Sequence, residues 1–226
     1  MATINQILIG GIAPLGPQAI PSGIRKSPVN GRIFLGHEGL MGDAQGDRQH
    51  HGGPEKALHH YAFDHYAYWL GIIGERTILD QPGAFGENLS TTGLTEDEAA
   101  LGDTFRIGQA VIQISQGRQP CWKLNARFDV SDMALRVQRT GFTGWYYRVI
   151  ENGFIDVGDE LVLVDRLSPD WTIRRMWRAF YVDTMNLDEL TAMSELTHLS
   201  ESWRAQARRR LKTLEVENWS RRLQGI

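Results

Sequence analysis

Thr104-Phe105-Arg106-Ile107-Gly108-Gln109-Ala110-Val111-Ile112-Gln113-Ile114-Ser115 alternates polar with apolar side chains up to Gly108-Gln109 and again from Ile112 onward. That is the pattern of two half-buried strands joined by a two-residue hairpin turn. Further strand candidates are Ile4 to Ile9, Arg32 to Leu35 and Glu160 to Val164, so the first three quarters of the chain read as mostly β. Gly102-Asp103 and Gly158-Asp159 each precede a strand, as sharp bends do at the corners of a small barrel. One helix is expected to begin at Pro54 and to gather Leu58, Tyr61, Ala62, His65 and Trp69 on one stripe. A shorter helix should follow a capping Ser131 and stop at Gly141.

After Leu167 glycine is almost absent until Gly225, and the apolar spacing becomes helical. Three short helices are expected, over 169–182, 187–193 and 201–214. The expected fold class is therefore mainly β with helices: a β-barrel domain over 1–167 and a small three-helix appendage over 168–226. Helices this short need the barrel as a packing partner.

The chain has 226 residues, a formal charge of -3 and one cysteine. One cysteine excludes an internal disulfide and a four-cysteine zinc site. The start shows no basic segment followed by a long apolar core, and no run reaches bilayer length, so a cytoplasmic protein without a membrane partner is expected. The arginines at 208–210, 221 and 222 read as solvated helix faces; no nucleic-acid partner is expected.

Cys121 lies in Gln116-Gly117-Arg118-Gln119-Pro120-Cys121-Trp122-Lys123. Flanking cations favour the thiolate, the form of sulfur that attacks electrophiles and binds metals; a small buried hydrophobe is the commoner role of a lone cysteine. The glycine-rich stretch from Gly39 to Asp43 and on through His51-Gly52-Gly53-Pro54 suits close approach of backbone to an anion, which Arg25 and Lys26 could neutralise. His50, His51, His59 and His60 lack the spacing of a helix-borne zinc site. His51, at the mouth of the glycine loop, is the one free to carry a proton, whereas His65 reads as a core residue. Asn88, in Gly86-Glu87-Asn88, either shapes a turn or orients a heterocycle. No nucleophile elbow, phosphate loop or dinucleotide fingerprint is present.

Taken in order, Ser22-Gly-Ile-Arg-Lys-Ser-Pro-Val29, Gly39-Leu-Met-Gly-Asp43, His51-Gly-Gly-Pro54, Phe85-Gly-Glu-Asn-Leu89 and Arg118-Gln-Pro-Cys-Trp-Lys123 resemble the MOSC domain family, and within it the YiiM-like branch, which adds a C-terminal three-helix domain. The resemblance implies a MOSC-type β-barrel that holds a molybdenum cofactor (Mo-molybdopterin), with Cys121 as the protein ligand to the metal. It implies a molybdoenzyme oxidoreductase that reduces N-hydroxylated compounds, hydroxylaminopurines and hydroxylamines, to amines. Cofactor-binding residues would be Lys26, Arg25, Asn88, Arg118, Gly52 and Gly53, and His51 would supply or relay a proton beside Cys121. Gly117 stands where relatives often have proline, and Ser27 where a second basic residue is common. No flavin, haem or iron–sulfur signature is present, so a separate electron-donating flavin reductase is an expected partner. Oligomeric state is left open, a homodimer included. Two rival readings are a sulfur carrier using Cys121 and a barrel that stores the cofactor without turnover.

Overall fold

The computed structural model describes residues 2–46 and 52–225. The hairpin expected around Gly108-Gln109 is formed: β9 (Asp103–Ile107) pairs antiparallel with β10 (Ala110–Gly117), with Ala110 opposite Ile107 across the turn. Gly108 adopts a φ of 52° there, a left-handed conformation that a residue without Cβ takes at little cost.

Around this hairpin the sheet closes. β1 (Ala2–Ile9), β7 (Leu58–Ala62), β8 (Leu89–Thr91), β11 (Trp145–Glu151) and β13 (Glu160–Arg166) join it in the order β13-β9-β10-β11-β7-β8-β1, and β13 pairs back onto β1. The result is a seven-stranded β-barrel, antiparallel except where β7 runs parallel to β8. A short β4 (Ser27–Pro28) adds to the edge of β1, β2 (Ala13–Leu15) pairs with β3 (Ile20–Ser22), and β5 (Ile33–Gly36) lies between β6 (Gly39–Leu40) and β12 (Gly153–Ile155) in a separate three-stranded sheet. Closure leaves no long unpaired edge in the ring, and the apolar faces of Ile4, Leu58, Leu89, Ile112 and Tyr147 meet inside it.

The expected helix from Pro54 through Trp69 is corrected. Pro54–Lys56 is one 3-10 turn, Leu58–Ala62 is strand β7, and only α1 (Asp64–Ile73) is helical. All five residues of β7, Leu-His-His-Tyr-Ala, are buried, so its sequence carries no alternation, and three of its positions imitate a helical stripe. β11 also escaped the sequence reading, because its Trp145-Tyr146-Tyr147 run is aromatic throughout and shows no alternation although its burial alternates. The helix after Ser131 is α3 (Met133–Thr140), following α2 (Lys123–Phe128); Asp132, not Ser131, holds the cap position of α3, without a side-chain cap bond. Gly141 ends it in the left-handed region, φ 73°.

The C-terminal helices are α4 (Ile173–Tyr181), α5 (Leu187–Glu195) and α6 (Glu201–Thr213), followed by a short α7 (Ser220–Gln224). α4 starts at Ile173 rather than near Pro169, because the Thr172 hydroxyl accepts from Arg175 N at 3.1 Å and fixes the first turn there. These helices share the barrel's core: Ile173, Met176, Phe180, Met193 and Trp203 belong to the same apolar cluster as the barrel interior. A Cβ on residue 117 would come within 3.2 Å of the Trp203 ring, so Gly117 lets α6 seat directly on β10. A second apolar cluster packs α1, α2 and α3 against Phe85, with Tyr61 and Phe85 stacked at 4.0 Å.

Candidate functional site

One end of the barrel carries a cleft lined by Lys26, Lys56, His59, Arg118, Cys121 and Tyr146, among others, with roughly 570 Å3 of space counting its open mouth. Its rim is built by close backbone contacts. A Cβ on Gly23 would fall 1.9 Å from the carbonyl oxygen of Ala44, and one on Gly10 would fall 2.1 Å from that of Arg25. Glycine is thus required where these loops cross.

Lys26 and Asn88, both expected at the site, prove heavily engaged within the protein. Lys26 Nζ donates to both oxygens of Asp43, at 2.5 and 2.6 Å, with both side chains almost fully buried. Burial lowers the Lys26 pKa, and the Asp43 carboxylate partly offsets that. Asp43 also accepts from Gly10 N at 2.8 Å and from Asn88 Nδ2 at 2.9 Å. Asn88 further donates to Leu8 O at 3.1 Å and accepts from His59 N at 3.1 Å. Its amide therefore ties β1, β7 and β8 to the loop bearing Asp43. Its neighbour Glu87, fully buried, accepts from Gly83 N at 2.6 Å, from Phe85 N at 3.0 Å and from the Tyr66 hydroxyl, and so holds the 83–86 turn in shape.

Arg118 is different. Its side chain emerges from the end of β10 and is 7% exposed. Nη2 donates to Phe85 O at 3.1 Å, but Nη1 is buried without a hydrogen-bond partner. Among the described residues no carboxylate pairs with it. A buried guanidinium with an idle donor is costly unless an anion completes it. Its charge also acts on neighbours: His59 is held well below the ordinary histidine pKa, first by burial and then by Arg118. His59 is therefore neutral near pH 7, and its Nε2 too is buried without a partner. Burial raises the Tyr146 pKa, with Arg118 opposing.

Cys121, half-buried, lies where the chain turns from β10 into α2, and lines this cleft together with Lys123. The structure thus brings Cys121, Arg118, Lys26 and Asn88 to one place. Arg25 is exposed and does not line the cleft; it lies close enough to Arg127 to help burial lower that group's pKa. Gly52 and Gly53 precede the 3-10 turn whose Lys56 reaches the cleft, and they do not line it themselves. His51 lies outside the described residues. Sequence reasoning missed His59, Tyr146 and Lys56. The first two sit on β7 and β11, whose strand character had to be recognised before either could be aimed inward.

Among the described residues no three His, Cys, Asp or Glu side chains converge on a metal position. A metal here would have one soft protein ligand, Cys121, and the rest of its coordination from an organic cofactor. The donor set fits a group of that kind: a thiol with Arg118, Lys56 and Lys123 around one cleft, and an idle buried guanidinium suited to a phosphate or dithiolene anion.

Fold and site together define a cleft-bearing β-barrel with one cysteine at a cationic mouth and a helical appendage packed into its core. Comparison with known proteins gives this class its family. Residues 47–162 match the MOSC domain, and residues 171–214 match the YiiM-like, 3-alpha helix domain. The chain belongs to the MOSC domain family, in its YiiM-like branch. It is 42% identical over 209 residues to protein YiiM of Escherichia coli (strain K12), covering 92% of this chain and 93% of that one. The crystal structure of YiiM from Escherichia coli superposes with a TM-score of 0.80 at 38% identity, covering 94% of this chain and 98% of that one. A protein of Gibberella moniliformis named reductase is 35% identical over 178 residues, which span 78% of this chain and 32% of that longer one. Among the described residues no helix is long and apolar enough to cross a membrane.

Proposed function

We propose that the protein holds a molybdenum cofactor through Cys121 and reduces N-hydroxylated compounds to amines. The observation that carries this reading is the buried, incompletely bonded guanidinium of Arg118 in the same cleft as Cys121. Such an arrangement favours a bound anion and a thiolate side by side. When bound, the cofactor supplies a metal able to exchange two electrons and to take up oxygen. The overall change is R–NHOH plus two protons and two electrons giving R–NH2 and water; the N–O bond breaks and the nitrogen is reduced.

The chain's residues have separate tasks. Arg118 pairs with the anionic part of the cofactor, and Lys123 and Lys56 keep the cleft cationic. Lys26 acts through Asp43, and Asn88 through its bonds to β1 and β7, to hold the cleft's rim loops. His59, kept neutral, is unsuited to donate a proton near pH 7; His51 is the proposed proton relay. Electrons come from a separate flavin reductase. The Gibberella protein supports a redox role, since a chain named reductase contains a segment resembling this one within a much longer whole.

The test is metal analysis and turnover of protein produced in a molybdate-sufficient host that makes the cofactor. Stoichiometric molybdenum, lost in Cys121→Ala, with reduction of a hydroxylaminopurine by a dye donor, is the expected result. Molybdenum without turnover would replace this reading with cofactor storage. Sulfane sulfur transferable from Cys121 would replace it with a sulfur carrier.

A further inference from the structure

Two directions are open to the sulfur of Cys121, because the residue lines both the cleft at Arg118 and a larger one between the barrel and the C-terminal helices. Its Cα–Cβ bond is aimed by the two peptide planes that flank it. Each peptide unit is planar, so an anchor on Pro120 O fixes the plane before Cys121, and an anchor on Trp122 N fixes the plane after it. Both anchors belong to one residue, a hundred positions away in the chain. Arg222 Nη1 donates to Pro120 O, and Trp122 N donates to Arg222 O at 2.8 Å. The plane after Cys121 has a further hold, since Leu124 N donates to Cys121 O at 2.9 Å. Among the described residues no other group donates to Pro120 O.

Arg222 is itself held by several elements. Its Nη2 donates to Gln138 Oε1 of α3 at 2.5 Å, and its guanidinium carbon lies 5.5 Å from the centroid of the Tyr181 ring on α4. Its backbone belongs to α7, where Leu223 is buried and Leu223 O accepts from Asn125 Nδ2 of α2 at 2.8 Å. A planar fork with two donors in fixed geometry bridges Pro120 O and Gln138 Oε1 at once, as a single flexible ammonium could not. Arg222 lies beyond the residues, 171–214, that match the three-helix domain, on the segment that crosses back from α6 to the cysteine loop.

We propose that Arg222 is a positioning residue for Cys121: by clasping the carbonyl before the cysteine and the amide after it, the C-terminal segment sets the direction in which the sulfur points. The inference rests on the proposed cofactor reading for what the sulfur binds, and on the hydrogen bonds alone for how it is held. A protein atom that ligates a metal has to be kept within about 0.5 Å of its productive place. A thiol on a loose loop would have to be ordered at each binding event, which weakens binding. Arg222 does that ordering in advance, from outside the barrel.

Cys121 is the one cysteine of the chain, so thiol alkylation reports on it alone. The test uses full-length, cofactor-free protein at one pH, well below the melting temperature. The rate with a bulky maleimide is divided by the rate with iodoacetamide, and the ratio removes the thiol's intrinsic reactivity. The bulky reagent needs the loop to open, and losing one charge-assisted hydrogen bond raises the open population about tenfold, so the ratio should rise about tenfold in Arg222→Met. Arg222→Lys keeps the charge and can remake one of the two side-chain bonds; it should fall in between, and it carries the test if the methionine variant fails to fold. Gln224→Ala, exposed on the same helix, should match the parent. In protein made in a cofactor-competent host, molybdenum left after dialysis should decrease from parent to Arg222→Lys to Arg222→Met. An unchanged alkylation ratio in both Arg222 variants, even with a lowered melting temperature, overturns the proposal by reducing Arg222 to a part of the fold. So does an equal rise in Gln224→Ala, or molybdenum held by both Arg222 variants as firmly as by the parent. A parent without molybdenum defeats the cofactor reading alone, because the alkylation ratio still decides whether Arg222 aims the sulfur.

Discussion

Replacing Arg118 with methionine separates the needs of the fold from those of the site. Arg118 is 7% exposed, its Nη2 donates to Phe85 O at 3.1 Å, and its Nη1 is buried without a partner. Removing that bond costs about 1 kcal/mol. Removing a buried, unpaired charge returns several kcal/mol of desolvation penalty, and the methionine stem keeps most of the volume. Cofactor-free Arg118→Met should therefore be at least as stable as the parent, with a melting temperature unchanged or raised by a few degrees, at roughly 2–4 °C per kcal/mol for a chain of this size. Affinity for an anionic cofactor should move the other way. One charge-assisted hydrogen bond is worth about 1.5–3 kcal/mol, or roughly ten- to a hundredfold in retention. The assay is thermal unfolding of protein made in a host unable to synthesise the cofactor, beside molybdenum content after dialysis of protein made in one that can. A destabilised cofactor-free variant that keeps its metal would refute the reasoning, because Arg118 would then be a structural residue satisfied in some other way.

Asp43→Ala leaves the buried Lys26 ammonium and the Asn88 amide short of a partner, and should cost about 3–5 kcal/mol; the Lys26→Met, Asp43→Leu double variant should recover most of this in denaturant unfolding, and no recovery would show that the pair is not the cause. Burial holds His60 to a pKa of about 3 and His59 well below the ordinary 6.5. The unfolded chain takes up these protons from about pH 6.5 downward and the folded one does not, so stability is complete above pH 6.5 and falls as pH drops toward 3, by up to about 1.4 kcal/mol per pH unit for each histidine. Urea midpoints between pH 7 and 5 that do not move in the parent would contradict this. Gly23→Ala places a methyl group against the carbonyl of Ala44 and should spread the rim loops; measurable loss of molybdenum without global unfolding is expected, and full retention would remove those loops from the cofactor site.

The sequence carried the barrel in its β9–β10 hairpin and in the glycine–aspartate corners, although nearly every position of both hairpin strands proves buried rather than one face in two. The site showed itself in Arg118 and Cys121, since a cysteine between basic residues is a chemical signal legible without coordinates. Lys26 and Asn88 were legible as site residues, but not the Asp43 carboxylate that engages both, because that contact joins residues 17 and 45 positions apart. His59 and Tyr146 were not legible as cleft residues. His59 lies on a strand buried along its whole length and Tyr146 in a run of three aromatic residues, and in neither does the sequence alternate polar with apolar as a half-buried strand does.

Composition and local periodicity by themselves determined that this is a mainly β chain followed by helices, with one thiol in a cationic setting. Only the tertiary structure decided that Arg118 is buried with an unanswered donor, and that Cys121 lines both the cleft at Arg118 and the one between the barrel and the C-terminal helices. Propensity and flanking charge are properties of neighbours along the chain. Burial and vacancy arise from groups that closure of the sheet brings together, and no local stretch records them.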